Sequence, residues 1–167
     1  EKRIPGNPYK ELRYLVIEDQ EASRKTLQMC IQSMGGSSVD MAQSFHDAIN
    51  RIQRNMPDVI ICDYMLGSGR TGQQLLEDLR RSSRLPDTVS FLMVTAERSY
   101  EQVVSAVELA PDDYIIKPFS PETLRVRMER VIRKKIFFHV FHARKSSGDF
   151  DAALAEKIDE YAPDLVV

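Results

Sequence analysis

The chain has 167 residues, of which 43% are apolar and 29% charged, with a formal net charge of −2. That balance excludes an intrinsically disordered chain and places no demand on nucleic acid or an anionic membrane as partner. No apolar run approaches the ~20 residues of a membrane span, and the N-terminus lacks a signal-peptide pattern, so a cytoplasmic protein is expected. Two cysteines, Cys30 and Cys62, lie in apolar stretches and read as reduced core residues rather than a disulfide. The methionines fall mostly in apolar stripes and also read as core.

Residues 1–11 carry Pro5, Gly6 and Pro8 and read as a lead-in. The apolar run Tyr14-Leu15-Val16-Ile17 ends abruptly in Glu18-Asp19. Helical spacing follows from Glu21 to Met34 and stops at Gly35-Gly36. A short strand at Val39–Ala42 precedes a helix capped by Ser44. Val59-Ile60-Ile61-Cys62 then ends in Asp63. A glycine-bearing loop, Gly67 to Gly72, leads into a helix with Leu75, Leu76 and Leu79. Phe91-Leu92-Met93-Val94 ends in Thr95, and a helix carrying Val103, Val104, Val107 and Leu109 follows. Tyr114-Ile115-Ile116 ends in Lys117-Pro118, and Pro121 after Ser120 opens a long helix.

Strands alternating with helices predict an α/β fold: an open, mostly parallel sheet covered on both faces. In such sheets ligands gather at the carboxyl ends of the strands. Glu18, Asp19, Asp63, Thr95 and Lys117 all fall there. Three carboxylates in one pocket repel unless a cation intervenes, and Mg²⁺ suits carboxylates, a carbonyl and waters. With a hydroxyl from Thr95 and an ammonium from Lys117, the set suits phosphoryl transfer, with Asp63 as the nucleophile.

These residues, with Tyr114 and Lys117-Pro118, make the chain resemble the receiver domain of bacterial two-component response regulators over about residues 12–133. The resemblance implies a doubly wound, flavodoxin-like five-stranded sheet of order 2-1-3-4-5. It implies that Asp63 takes a phosphoryl group from a histidine kinase or phosphotransfer protein. Mg²⁺ would sit on Asp19, Asp63 and the backbone carbonyl of Met65, with Glu18 acting mainly through water. Thr95 and Lys117 would contact the phosphoryl oxygens, Tyr114 would be the aromatic switch, and the peptide before Pro118 would be cis. Such a module is a signalling receiver rather than a separate enzyme, switching contacts with a downstream protein. The alternative is a receiver-fold scaffold acting without phosphorylation, against which the intact Asp19, Asp63, Thr95 and Lys117 set argues. Two departures stand out. Glu18 is one methylene longer than the commoner Asp, and the loop after Asp63 lacks the usual proline and has one residue more than its shortest version. A wider, more mobile loop is therefore expected.

Residues 134–167 read as a helical extension. Residues 122–145 hold eight basic and two acidic residues, and residues 146–167 one basic and six acidic. The acidic stretch offers the basic helix an internal partner, which argues against nucleic acid. Ile136-Phe137-Phe138-His139-Val140-Phe141 is apolar nearly all round. A turn at Ser146–Asp149 and a second helix would complete a hairpin. Gly148 to Ala153 loosely resembles the turn of a tetratricopeptide repeat. This hairpin closes on the receiver, opens a repeat array, or joins another chain, a homodimer included.

Overall fold

A computed structural model describes residues 8–105 and 108–147; of residues 102, 105 and 136–147 only the backbone is described. Five strands, β1 (Arg13–Ile17), β2 (Ser38–Ala42), β3 (Val59–Asp63), β4 (Ser90–Thr95) and β5 (Asp113–Ile116), form one parallel sheet of order β2-β1-β3-β4-β5. Helices α1 (Pro8–Glu11), α2 (Glu21–Ser33), α3 (Phe45–Arg54), α4 (Gly72–Arg81), α5 (Tyr100–Ser105) and α6 (Pro121–Ser147) surround it. The expected α/β sheet and its order are both present.

Every residue of β3 and β4 is buried, as strands covered on both faces must be. Alternate residues face opposite layers. Leu15, Ile17, Ile60, Cys62, Phe91 and Met93 pack in one layer with Ile52, Leu75, Leu76, Leu79 and Tyr100 from α3, α4 and α5. Tyr14, Val16, Val59, Ile61, Leu92 and Val94 pack in the other with Leu27 and Ile31 of α2 and Leu124, Met128 of α6. Ser44 caps α3 by accepting the Asp47 N–H at 3.1 Å, as its position predicts.

Several local readings change. The lead-in contains the one-turn helix α1, whose Tyr9 packs beside Leu12 and whose carbonyl accepts the Tyr14 hydroxyl at 3.0 Å. Leu109 lies beyond α5, and its carbonyl accepts the side-chain amide of Gln73. Met93 and Met128 are core, but Met29, Met56 and Met65 are exposed, because helical and loop spacing put them on outer faces. Both cysteines are free, Cys62 buried and Cys30 partly so. α6 continues to Ser147, so the first two residues of the expected turn, Ser146 and Ser147, are helical, whereas the rest of that turn, the second helix and the repeat-like stretch from Gly148 lie outside the described residues.

One aspartate fastens the opposite edge of the sheet to two helices. Asp112 accepts the backbone N–H of buried Phe91 at 2.7 Å, and its carboxylate pairs with Lys135 of α6 at 3.1 Å and faces Arg80 of α4 at 3.9 Å. Removing that acceptor leaves an amide without its partner at the start of β4. Asp112→Ala is expected to destabilise the fold by about 2 kcal/mol, read as a lowered urea midpoint with an unchanged m-value; an unchanged midpoint would contradict this role.

Candidate functional site

The parallel register brings the carboxyl ends of β1, β3, β4 and β5 to one edge. Ile17 lies beside Cys62, Asp63 beside Val94, and Thr95 beside Ile116. The next residues along β1 and β5 are the acidic pair Glu18-Asp19 and Lys117. Carboxylate oxygens of Glu18, Asp19 and Asp63 all come within 4.8 Å of one another. Residues separated by almost a hundred positions therefore share one pocket.

Glu18 is completely buried, yet both its oxygens have partners. One accepts the Gln20 N–H at 3.0 Å, and the other faces the Lys117 ammonium at 3.0 Å. Lys117 also reaches Asp63 at 3.4 Å. Burial is the main reason the Glu18 carboxyl is pushed up to about 7; the Gln20 amide and Lys117 oppose the rise, and the Asp63 charge adds to it. Burial alone would depress the Lys117 ammonium, but Glu18 and Asp63 outweigh it and hold its pKa above the ordinary value. Burial, with Asp63 and Glu18 nearby, keeps the Cys62 thiol protonated. The expected reduced core role of Cys62 fits that chemistry.

Arg24 of α2 fixes the acidic turn from outside. Its guanidinium donates to the carbonyls of Glu18 at 2.7 Å and Asp19 at 3.3 Å. Nothing in the local sequence pattern announced that contact, because its partners are backbone atoms. Thr95 is buried at the end of β4, and its hydroxyl accepts the Glu97 N–H at 3.1 Å. Tyr114 is half-buried against the α3–α4–α5 layer. Met65 is exposed on the loop after Asp63, and the Lys117–Pro118 peptide is cis.

The loop after Asp63 contains a hydrogen-bonded turn. Gly67, Ser68 and Gly69 all have positive φ, 74°, 52° and 74°. The Arg70 N–H closes on the Gly67 carbonyl at 3.0 Å, and the Leu66 N–H on the Arg70 carbonyl at 3.0 Å. With both central residues left-handed, this is the tight turn that joins antiparallel segments. Arg70 then lies over the Phe45 ring, 4.5 Å from its centroid, tying the loop to α3.

The loop returns through Gly72, whose N–H donates to the Tyr64 carbonyl at 2.7 Å. A Cβ there would sit 2.5 Å from the Asp63 carbonyl oxygen, 2.9 Å from the Met93 sulfur and 3.0 Å from the Cys62 sulfur. Thr71 and Gln74 form a reciprocal cap that starts α4 at this point. Gly72→Ala is expected to cost about 2 kcal/mol through overpacking. Because the clash is with the Asp63 backbone, amide shifts of residues 62–66 should move as well. A variant of unchanged stability and spectrum would contradict this packing.

Chemically, the pocket combines an acidic cluster suited to a hard cation with one ammonium beside Asp63, and the neighbouring strand ends in the buried hydroxyl of Thr95. Residues 14–129 match the response regulator receiver domain family. The phosphate regulon transcriptional regulatory protein PhoB of Escherichia coli (strain K12) is 35% identical over 122 residues, covering 73% of this chain and 52% of PhoB. The probable transcriptional regulator ycf27 of Guillardia theta is 33% identical, covering 73% of this chain and 46% of its own. The chain thus spans about half the length of these curated relatives. Among solved structures, the chemotaxis response regulator CheY4 of Vibrio cholerae superposes with a TM-score of 0.64 at 28% identity, over 72% of this chain and 98% of CheY4. These likenesses give no support to a tetratricopeptide-like segment after residue 129. Fold, acidic cluster and sequence match agree that the chain belongs to the response regulator receiver domain family, a signalling module of two-component systems.

Proposed function

We infer that the chain accepts a phosphoryl group on Asp63 from a histidine kinase or phosphotransfer protein, in a Mg²⁺-dependent step. The observation that carries this reading is the position of Asp63, within 4.8 Å of two further carboxylates and 3.4 Å from Lys117. Asp19, Asp63 and the backbone carbonyl of Met65 would hold the cation, and Glu18 would act on it through water. Mg²⁺, when bound, supplies positive charge to both the carboxylate and the incoming phosphoryl oxygens.

An Asp63 oxygen attacks phosphorus while the phosphorus–nitrogen bond of the donor phosphohistidine breaks. The imidazole nitrogen keeps the bonding pair and takes a proton. Charge spreads over the three equatorial oxygens, and each needs a counterpart. Lys117 supplies one by letting go of Asp63, and the Thr95 hydroxyl supplies another. Tyr114 then turns toward Thr95, which carries the change to the surface of α5, β5 and α6.

Residues 12–133 form the receiver in this reading, and residues 134–167 are an extension that contacts a downstream protein or a second copy of the chain. No helix among the described residues is long and apolar enough to cross a membrane; cytoplasmic location belongs to the same proposal.

Intact-mass measurement after incubation with acetyl phosphate and Mg²⁺ tests the assignment. The wild type should gain one phosphoryl mass, lose that gain in excess EDTA, and show none as Asp63→Asn. Equal labelling of Asp63→Asn, or labelling unaffected by EDTA, would overturn it. A folded wild type that takes no label would favour the scaffold alternative.

A further inference from the structure

Three tyrosines form a row on the α3–α4–α5 side of the sheet. Tyr64 follows Asp63 directly, Tyr100 opens α5, and Tyr114 lies on β5 opposite Met93. The Tyr100 ring meets Tyr64 edge-on at 5.5 Å between centroids and Tyr114 edge-on at 5.3 Å. Tyr64 and Tyr114 are half-buried, whereas Tyr100 is completely buried. An aromatic residue at the first position of a short helix would ordinarily be free to face water. Here it is the innermost of the three.

We propose that Tyr100 is a positioning residue of the switch, filling the space between Tyr64 and Tyr114 so that Tyr114 turns toward Thr95 only as Tyr100 gives way. The inference rests on the phosphoacceptor reading of Asp63 and adds a residue to it. Strand alternation puts Thr95 on the same face as Met93, and the register puts Tyr114 beside Met93. A swing of Tyr114 toward Thr95 therefore runs along the face that Tyr100 occupies. Interiors this closely packed repack between discrete arrangements rather than deform gradually.

A second contact makes the movement visible beyond the tyrosines. The Tyr100 hydroxyl lies 3.5 Å from the side-chain oxygen of Gln73, itself buried at the start of α4. The Gln73 amide donates to the Leu109 carbonyl at 2.8 Å and to Glu77 at 3.1 Å. Displacing Tyr100 frees Gln73, and with it one strap on the segment that leads into β5. Arg80 holds the adjacent carbonyl, that of Ala110, and stays in place. The segment would loosen at Leu109 while remaining fixed one residue later.

The full chain labelled with 3-fluorotyrosine and titrated with beryllofluoride and Mg²⁺ tests this. Bound fluoroberyllate has its own ¹⁹F signals. Their absence would remove the phosphoacceptor reading, and with it the basis of this proposal. With those signals present, Tyr64, Tyr100 and Tyr114 should shift together, with the same midpoint, while Tyr14 stays unmoved. A Tyr114 shift that leaves Tyr100 in place would overturn the proposal. Tyr100→Leu, which vacates the space, should raise apparent beryllofluoride affinity about fivefold, the low end of ordinary coupling between sites. Tyr100→Phe keeps the ring and should stay within about twofold. Equal affinities for wild type and folded Tyr100→Leu would also overturn it. Should Tyr100→Leu fail to fold, the concerted shifts in the wild type decide.

Discussion

One ammonium stands among three carboxylates, and the rest of the site is arranged around that shortage of positive charge. Lys117 reaches buried Glu18 at 3.0 Å and Asp63 at 3.4 Å. Removing a carboxylate from water is costly unless it is paired and hydrogen-bonded. Glu18 meets both conditions through Lys117 and the Gln20 amide. Asp63 has only a share of the same ammonium, and Asp19 lies close enough to add a further negative charge. The pocket is therefore stable as a fold but electrostatically incomplete. In the proposed function, a divalent cation and then a phosphoryl group that draws Lys117 to itself would complete that balance.

The backbone holds this arrangement in place. Parallel strands deliver the acids and the lysine to one edge. Arg24 secures the turn after β1 through two carbonyls, and Gly72 lets α4 start directly against the Asp63 carbonyl. The loop after Asp63 is closed by a left-handed turn at Ser68-Gly69. At the far edge, Asp112 and Asp113 pair with Lys135, Arg127 and Arg130 of α6, so the last helix is anchored where β5 begins. In the proposed function, changes near Thr95 and Tyr114 would reach a helix already tied to the start of β5.

Much of this was legible in the sequence because parallel sheets write themselves plainly. Buried strands are unbroken apolar runs, and Val59-Ile60-Ile61-Cys62 followed by Asp63 announces both a strand and its functional end. The acidic pair after Ile17 and the lysine after Ile116 followed by the same logic. Less legible were contacts that use backbone atoms or space alone. The Arg24 bonds to two carbonyls, the Gln73 bond to Leu109, and the close approach at Gly72 carry no periodic signal. The turn within the loop after Asp63 was not read, because residue counting records length and not hydrogen bonds. Tyr100 carried no signal in the sequence pattern, yet its ring is fully buried between two other tyrosines. The methionines misled in the opposite direction, since an apolar residue on an outer helix face looks the same in sequence as one in the core.

The central claim is that the cluster of Glu18, Asp19 and Asp63 encloses one cation site. Crystals soaked in Mn²⁺, with anomalous data collected above the manganese edge, test it most directly. The account predicts a single strong peak within coordination distance of the Asp19 and Asp63 carboxylates. A pocket without that peak at saturating Mn²⁺, or a peak only at other surface acids, would contradict it.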